Sequence, residues 1–130
     1  MARRRIDLGD AELDVLNVLW ECGQSTVREV LEGLHARGRK VAYTTAQTVL
    51  ARLEQKGYVS SNKSGFSFVY KAKVTRDRVL DSRVRGLMHD LCDGQAAPLV
   101  LHLMEKQRFS ADDLAKFQEL IDRLDEEGAS

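Results

Sequence analysis

Between Ala42 and Gly57 the chain reads AYTTAQTVLARLEQKG, and its polar side chains are of kinds that hydrogen-bond rather than react. Tyr43 carries a phenol, Thr44, Thr45 and Thr48 short hydroxyls, Gln47 an amide and Arg52 a guanidinium. At the N-terminal end of a helix in a DNA major groove, Thr donates to phosphate or touches a thymine methyl, and Gln and Arg reach base edges or phosphates. Ala46, Val49, Leu50 and Leu53 recur at the i, i+3, i+4, i+7 spacing of one buried helix face, which turns Thr44, Thr45, Thr48 and Arg52 outward. Branching at Cβ makes Thr a mediocre helix former, so three in five residues cost stability with no structural return. Their use therefore lies outside the fold, unless Thr44 or Thr45 only caps the helix.

The distribution of charge favours the groove reading. The formal net charge of zero separates along the chain into −3 over residues 1–36, +7 over 37–73 and −4 over 74–130. The middle block holds Arg37, Arg39, Lys40, Arg52, Lys56, Lys63, Lys71 and Lys73 against Glu54 alone, and it contains the threonine-rich helix. Concentrated positive charge beside a candidate recognition helix is what phosphate contact requires. Lys40, Arg52, Lys56 and Lys63 are the expected phosphate ligands, and Arg3, Arg4 and Arg5 form either a minor-groove arm or a solvated terminus.

No other constellation supports chemistry as well. His89 and Cys92 share a helix face, with His102 nearby in sequence, but two or three scattered ligands make a weak metal site, so no metal or cofactor is expected. His35, His89 and His102 have no nucleophile at an interpretable spacing and there is no Gly-rich phosphate loop, which argues against an enzyme. Cys22 and Cys92 form neither a disulfide framework nor a zinc module and read as small buried hydrophobes. No apolar run approaches the roughly 20 residues of a membrane span, and MARRRIDLGD lacks the apolar region of a signal peptide, so a cytoplasmic protein without membrane insertion is expected.

The elements that must position Thr44 and its neighbours are legible as punctuation. Helix 1 is expected over about 10–22, capped by Asp10. Helix 2 follows Ser25 or Thr26, with Glu29 in capping-box position, and ends at Gly38. Helix 3 covers about 43–56 and is closed by Gly57. Tyr58–Ser60 and Phe66–Lys71 read as a two-stranded wing turning at about 62–65, with Lys63 at its tip. Trp20, Leu53, Val59 and Val69 are the expected core, and Phe66, Phe68 and Tyr70, which alternate on one side, either join it or, the favoured reading, pack on the helix that follows. The fold class is mainly α with a small β-hairpin: a winged helix-turn-helix over 1–73 and a helical region over 74–130. That region holds helices from Thr75 to about Leu91, from Ala96 to Lys106, and from Ser110 to about Glu126. Three such helices have too little sequence for a core of their own, so mutual burial between two copies is expected, with folding back on the same domain as the alternative.

LGDAELDVLNVLW at 8–20, TVREVLEGL at 26–34, AYTTAQTVLARLEQKGYV at 42–59, Phe-Val-Tyr at 68–70 and APLVLHLMEKQRFS at 97–110 together resemble the BlaI/MecI repressors, a family that includes the copper-responsive CopY proteins. The resemblance implies a homodimeric winged-helix repressor with intertwined C-terminal helices, bound to dyad-symmetric double-stranded operator DNA in front of resistance genes. It also implies release when a membrane-bound sensor protease, triggered by a β-lactam, cuts the dimerisation region. The matching segment here carries His102-Leu103 where the family has Asn-Phe, and the paired Cys-x-Cys motifs of the copper repressors are absent. A winged helix serving only as a protein-protein interaction module is the competing reading.

Overall fold

The computed structural model describes residues 5–129. Arg3 and Arg4, and with them most of the expected minor-groove arm, lie outside the described residues. Helix α1 spans Asp10–Cys22, but its cap is Gly9 and not Asp10. The Gly9 N–H donates to Glu12 Oε1 at 2.9 Å, so the N3 carboxylate satisfies the orphan donor while Asp10, inside the first turn, still complements the helix dipole. Helix α2 (Val27–Ala36) opens on the expected capping box: Thr26 N–H donates to Glu29 Oε1 at 2.9 Å, and Glu29 N–H to Thr26 Oγ1 at 3.2 Å. Helix α3 (Tyr43–Lys56) ends at Gly57, whose φ of 85° is left-handed and so suits glycine.

The two-stranded wing forms, and a short strand ahead of α2 joins its sheet. β1 (Ser25–Thr26), β2 (Val59–Ser64) and β3 (Ser67–Ala72) form an antiparallel sheet in the order β1-β3-β2. A two-residue strand is too short to carry an alternating pattern, so residue types alone do not show β1; Ser25 is buried opposite Tyr70. The hairpin is longer than its composition suggests. Ser64 pairs with Ser67, leaving a two-residue loop, and Gly65 at its first central position has φ 64°, as primed hairpin turns demand.

Register explains two departures in the hairpin. Val59 pairs with Ala72, Ser61 with Tyr70 and Lys63 with Phe68, so these six share a face, and Val59, Tyr70 and Ala72 meet the core there. Val69 pairs with Asn62, belongs to the opposite face and is only half-buried, so it is not a core residue. Phe66 and Phe68 are exposed, not packed on the next helix: the core ends at the base of the hairpin, and only Tyr70 reaches it.

Leu16, Val15, Val18, Val30, Leu34, Ala46, Leu50, Leu53 and Val59 are essentially inaccessible and join α1, α2, α3 and β2. Trp20 lies at the margin; its Nε1–H donates to Val74 O at 2.9 Å, and the Arg76 guanidinium stands 5.4 Å above its ring. Val74 and Val79 are buried, Ser82 Oγ accepts from Ile6 N–H at 2.9 Å, and Arg83 donates to Leu8 O at 3.1 Å. The first part of α4 (Arg76–Leu91) therefore belongs to the winged unit. The chain divides into one compact unit up to Val84 and another from Arg85. Cys22 is exposed at the end of α1 and Cys92 half-buried, so neither is a buried hydrophobe.

In the second unit, α5 (Ala97–Lys106) holds Pro98 in its first turn and α6 (Ala111–Ala129) is capped by Ser110, whose Oγ accepts from Asp113 N–H at 3.0 Å. Phe109 and Phe117 meet edge to face at 5.0 Å. Among the described residues no helix is long and apolar enough to cross a membrane.

Two packing details make measurable claims. A Cβ on Gly33 would stand 2.5 Å from Val18 Cγ1, a stiff branched side chain that is itself buried, so α1 and α2 approach where only glycine fits. Gly33→Ala should lower stability by about 1–3 kcal/mol despite a helix-propensity gain of at most about 1 kcal/mol; an unchanged or raised Tm would contradict that close approach. The second concerns Glu12, which is 5% exposed and receives Lys56 Nζ at 2.9 Å, tying the start of α1 to the end of α3. Lys56→Met should cost about 1–3 kcal/mol at neutral pH, because the buried Glu12 carboxylate loses its charged partner and keeps the Gly9 N–H. The bond to Glu12 raises the Lys56 pKa above its ordinary 10.5. Its contribution is therefore complete below pH 10.5 and lost as pH climbs through the higher folded value. Denaturation curves of wild type and variant should converge in that alkaline range.

Candidate nucleic-acid interface

Packing Ala46, Val49, Leu50 and Leu53 inward leaves Tyr43, Thr44, Thr45, Gln47, Thr48 and Arg52 exposed along the opposite side of α3. The helix starts at Tyr43 on Ala42, and no side chain caps it. Thr44 and Thr45 are therefore not caps, and the first N–H groups of α3 point outward without intrahelical acceptors. Thr48 differs from its neighbours: its hydroxyl donates to Thr44 O at 2.9 Å, which leaves its methyl and lone pairs for an external contact.

The segment before α3 is fixed by several small contacts. His35 Nε2 lies 3.0 Å from Val41 O, Arg39 pairs with Asp14, and Arg37 stands 3.6 Å from Glu21. These acids lie on α1, so part of the +7 block neutralises the −3 block inside the fold. Lys56 behaves likewise. Its Nζ contacts Glu12, Asp7 O at 3.1 Å and an Asp7 carboxylate oxygen at 3.7 Å, and it acts as a bolt under α3 rather than as an outward phosphate ligand. The expectation for Lys56 is corrected accordingly: helical phase turns the last turn of α3 toward α1.

Lys40, Arg52, Lys63, Lys71 and Lys73 remain exposed, and among the described residues none forms an ion pair with an acid. Lys40 flanks the start of α3, Arg52 lies on its outer face, and Lys63 stands near the end of β2. Arg28 sits in the acidic block, where charge distribution does not mark it, yet its guanidinium lies 5.9 Å from the Tyr43 ring centroid; only the α2–α3 packing brings the two together. At the wing base, Ser61 Oγ donates to Glu54 Oε2 at 2.6 Å. Glu54, the block's single acid, thus holds β2 against α3. Burial, with Glu54 and Tyr43 nearby, raises the Tyr70 phenol above its ordinary pKa, so it stays neutral beneath the sheet.

The C-terminal candidates are arranged differently. His102 and Leu103 lie inside α5, both exposed. His89 is bonded to its neighbour Asp90 at 3.1 Å, and no group of three metal-ligating side chains occurs among the described residues. Val100, Leu103, Met104, Phe117, Ile121 and Leu124 are among the residues around an apolar cavity of about 390 Å³.

Comparison with known proteins agrees with this arrangement. Residues 8–123 match the family described as penicillinase repressor. The chain is 24% identical over 115 residues to the penicillinase repressor of Bacillus licheniformis, covering 88% of this chain and 89% of that one. It is 20% identical over 123 residues to the methicillin resistance regulatory protein MecI of Staphylococcus aureus, covering 95% and 99%. The fold is similar to that of a MarR family protein from Bacillus stearothermophilus, with a TM-score of 0.52 at 18% identity over 96% of this chain and 78% of that one. With the family match spanning nearly the whole chain and a winged helix exposing a polar, cationic face, the protein belongs to the penicillinase repressor family of DNA-binding transcriptional repressors.

Proposed function

We propose that the protein is a homodimeric cytoplasmic repressor that lays α3 in the major groove of each half of a dyad-symmetric operator. The observation that carries this reading is the outer face of α3: three hydroxyls, Gln47 and Arg52 beside an uncapped helix start, flanked by exposed cations. Tyr43, Thr44, Thr45, Gln47 and Thr48 face bases or adjacent phosphates. Lys40, Arg52 and Lys63 neutralise phosphates, with Arg28 stacked on Tyr43 as an added cation. Lys56 supports α3 from behind.

Dimerisation is supported by the apolar surface of the second unit. Among the described residues neither α5 nor α6 has a buried side chain, and Val100, Leu103, Met104, Leu114, Leu120, Ile121 and Leu124 are all exposed in the single chain. Patches of this kind mark an interaction surface, and a twofold pairing of two copies buries both at once. Two linked half-site contacts strengthen operator binding without adding any contact within a half-site.

Release by proteolysis fits the same surface. A cut between His102 and Leu103, made by a membrane-bound sensor protease in a β-lactam-type response, divides α5 within the apolar wall and weakens the dimer. Because that bond lies mid-helix, cleavage requires local unwinding of α5.

Binding to a duplex selected from a random-sequence pool should fall steeply with salt. Arg52→Ala should reduce the slope of log K against log salt by about one, and Gln47→Ala should relax discrimination at one base pair by about 1–3 kcal/mol. If Thr44→Ala with Arg52→Ala bound that duplex as wild type does, while folded and dimeric, the assignment of α3 would fail. For the dimer, a fragment ending at Val84 should sediment as a folded monomer and bind roughly 10²–10⁴-fold more weakly than the full chain. The full-length Ile121→Asp variant should reproduce both effects, and a dimeric fragment would refute the division of labour.

A further inference from the structure

Phe66 is an unexplained residue on the wing. It occupies the second central position of the hairpin loop, where Gly, Asn, Asp or Ser would serve, and it is 105% exposed. It belongs to neither the core nor the residues packed against it. Phe68, two residues on, is 54% exposed and pairs across the hairpin with Lys63. Burying a Phe removes a large apolar area from water, and Phe66, fully open at the tip, forgoes that gain.

Their placement indicates an occupant. Phe68 and Lys63 lie on the same sheet face as Ser61, whose hydroxyl is bound to Glu54 of α3; the face that leans on the recognition helix at its base displays aromatics and a cation at its tip. From Val59 to Ala72 there is no acidic residue, so the tip suits a polyanion. Strands of six residues extend roughly 20 Å, enough to carry the tip from a helix in the major groove past one phosphate strand to the adjoining minor groove. Apolar side chains that enter the minor groove insert between base steps, unstack them and kink the duplex.

We propose that Phe66 is such a wedge: the wing tip enters the minor groove beside the α3 contact, Phe66 unstacks one base step there, and Lys63 and Phe68 seat the hairpin on the groove wall. The proposal deepens the reading of α3 and the wing as a DNA-binding surface and rests on it. It also assigns the protein a sequence preference that no hydrogen bond reads, because flexible pyrimidine–purine steps unstack more readily than A-tracts.

The test uses the full-length protein and a duplex it selects from a random-sequence pool, with 2-aminopurine placed in turn at steps flanking the protected half-site and the bend measured by fluorescence energy transfer between the duplex ends. Wild type should bend the duplex and brighten 2-aminopurine at one step in each half. Phe66→Ala should abolish both signals and weaken binding about tenfold with the salt slope unchanged, while Phe66→Leu retains them. Lys63→Ala should lower the slope and keep the bend. Since Phe66 packs on nothing in the core, Tm should not move in either Phe66 variant. A Phe66→Ala protein that binds and bends as wild type does overturns the wedge and leaves the α3 reading intact. Failure of wild type to select any duplex overturns both.

Discussion

The arrangement of the winged unit depends on one packing constraint: α3 must bury Ala46, Val49, Leu50 and Leu53 against α1 and α2. Four positions at helical spacing fix the rotation of the helix about its axis, and that rotation decides which side chains face outward. The close approach at Gly33 and Val18 sets how near α1 and α2 lie, and so shapes the floor on which α3 rests. A helix turned by one residue would bury a threonine and expose a leucine, at a cost the small core could not absorb.

Electrostatics then sorts the cations into two populations. Arg37, Arg39 and Lys56 are turned toward the acids of α1 and hold the supporting helices and the recognition helix in register. Among the described residues Lys40, Arg52, Lys63, Lys71 and Lys73 form no ion pair with an acid and project a positive field. The sorting follows from geometry: the acids at positions 7, 12, 14 and 21 lie on or just before α1, behind α3, so only cations on that side reach them. Glu54 is the exception on the basic side, and its bond to Ser61 couples wing and helix so that the two approach a groove together.

The second unit obeys the opposite economy. Its helix starts are locally encoded, with Ser110 capping α6 and Pro98 in the first turn of α5, yet its leucines lie open and line a cavity instead of a closed core. Secondary structure there is locally encoded while burial is not, which is the condition under which a partner supplies the missing half of a core.

Residue pattern alone determined the helices α1, α2, α3, α5 and α6 nearly to their observed bounds, because capping boxes, terminal glycines and i, i+3, i+4 spacing are local signals. It also marked the polar face of α3 as a surface with a use beyond the fold. Tertiary structure decided what depends on long-range register. It added β1, too short to show a pattern, drew the start of α4 onto the winged unit through the buried Val74 and Val79, and put Val69 on the sheet face away from Val59. It turned Lys56 inward to Glu12 and brought Arg28 over Tyr43. Charge and periodicity state which residues are able to face a partner; the pairing of each cation is set by groups dozens of residues away, and only the folded chain brings them within reach.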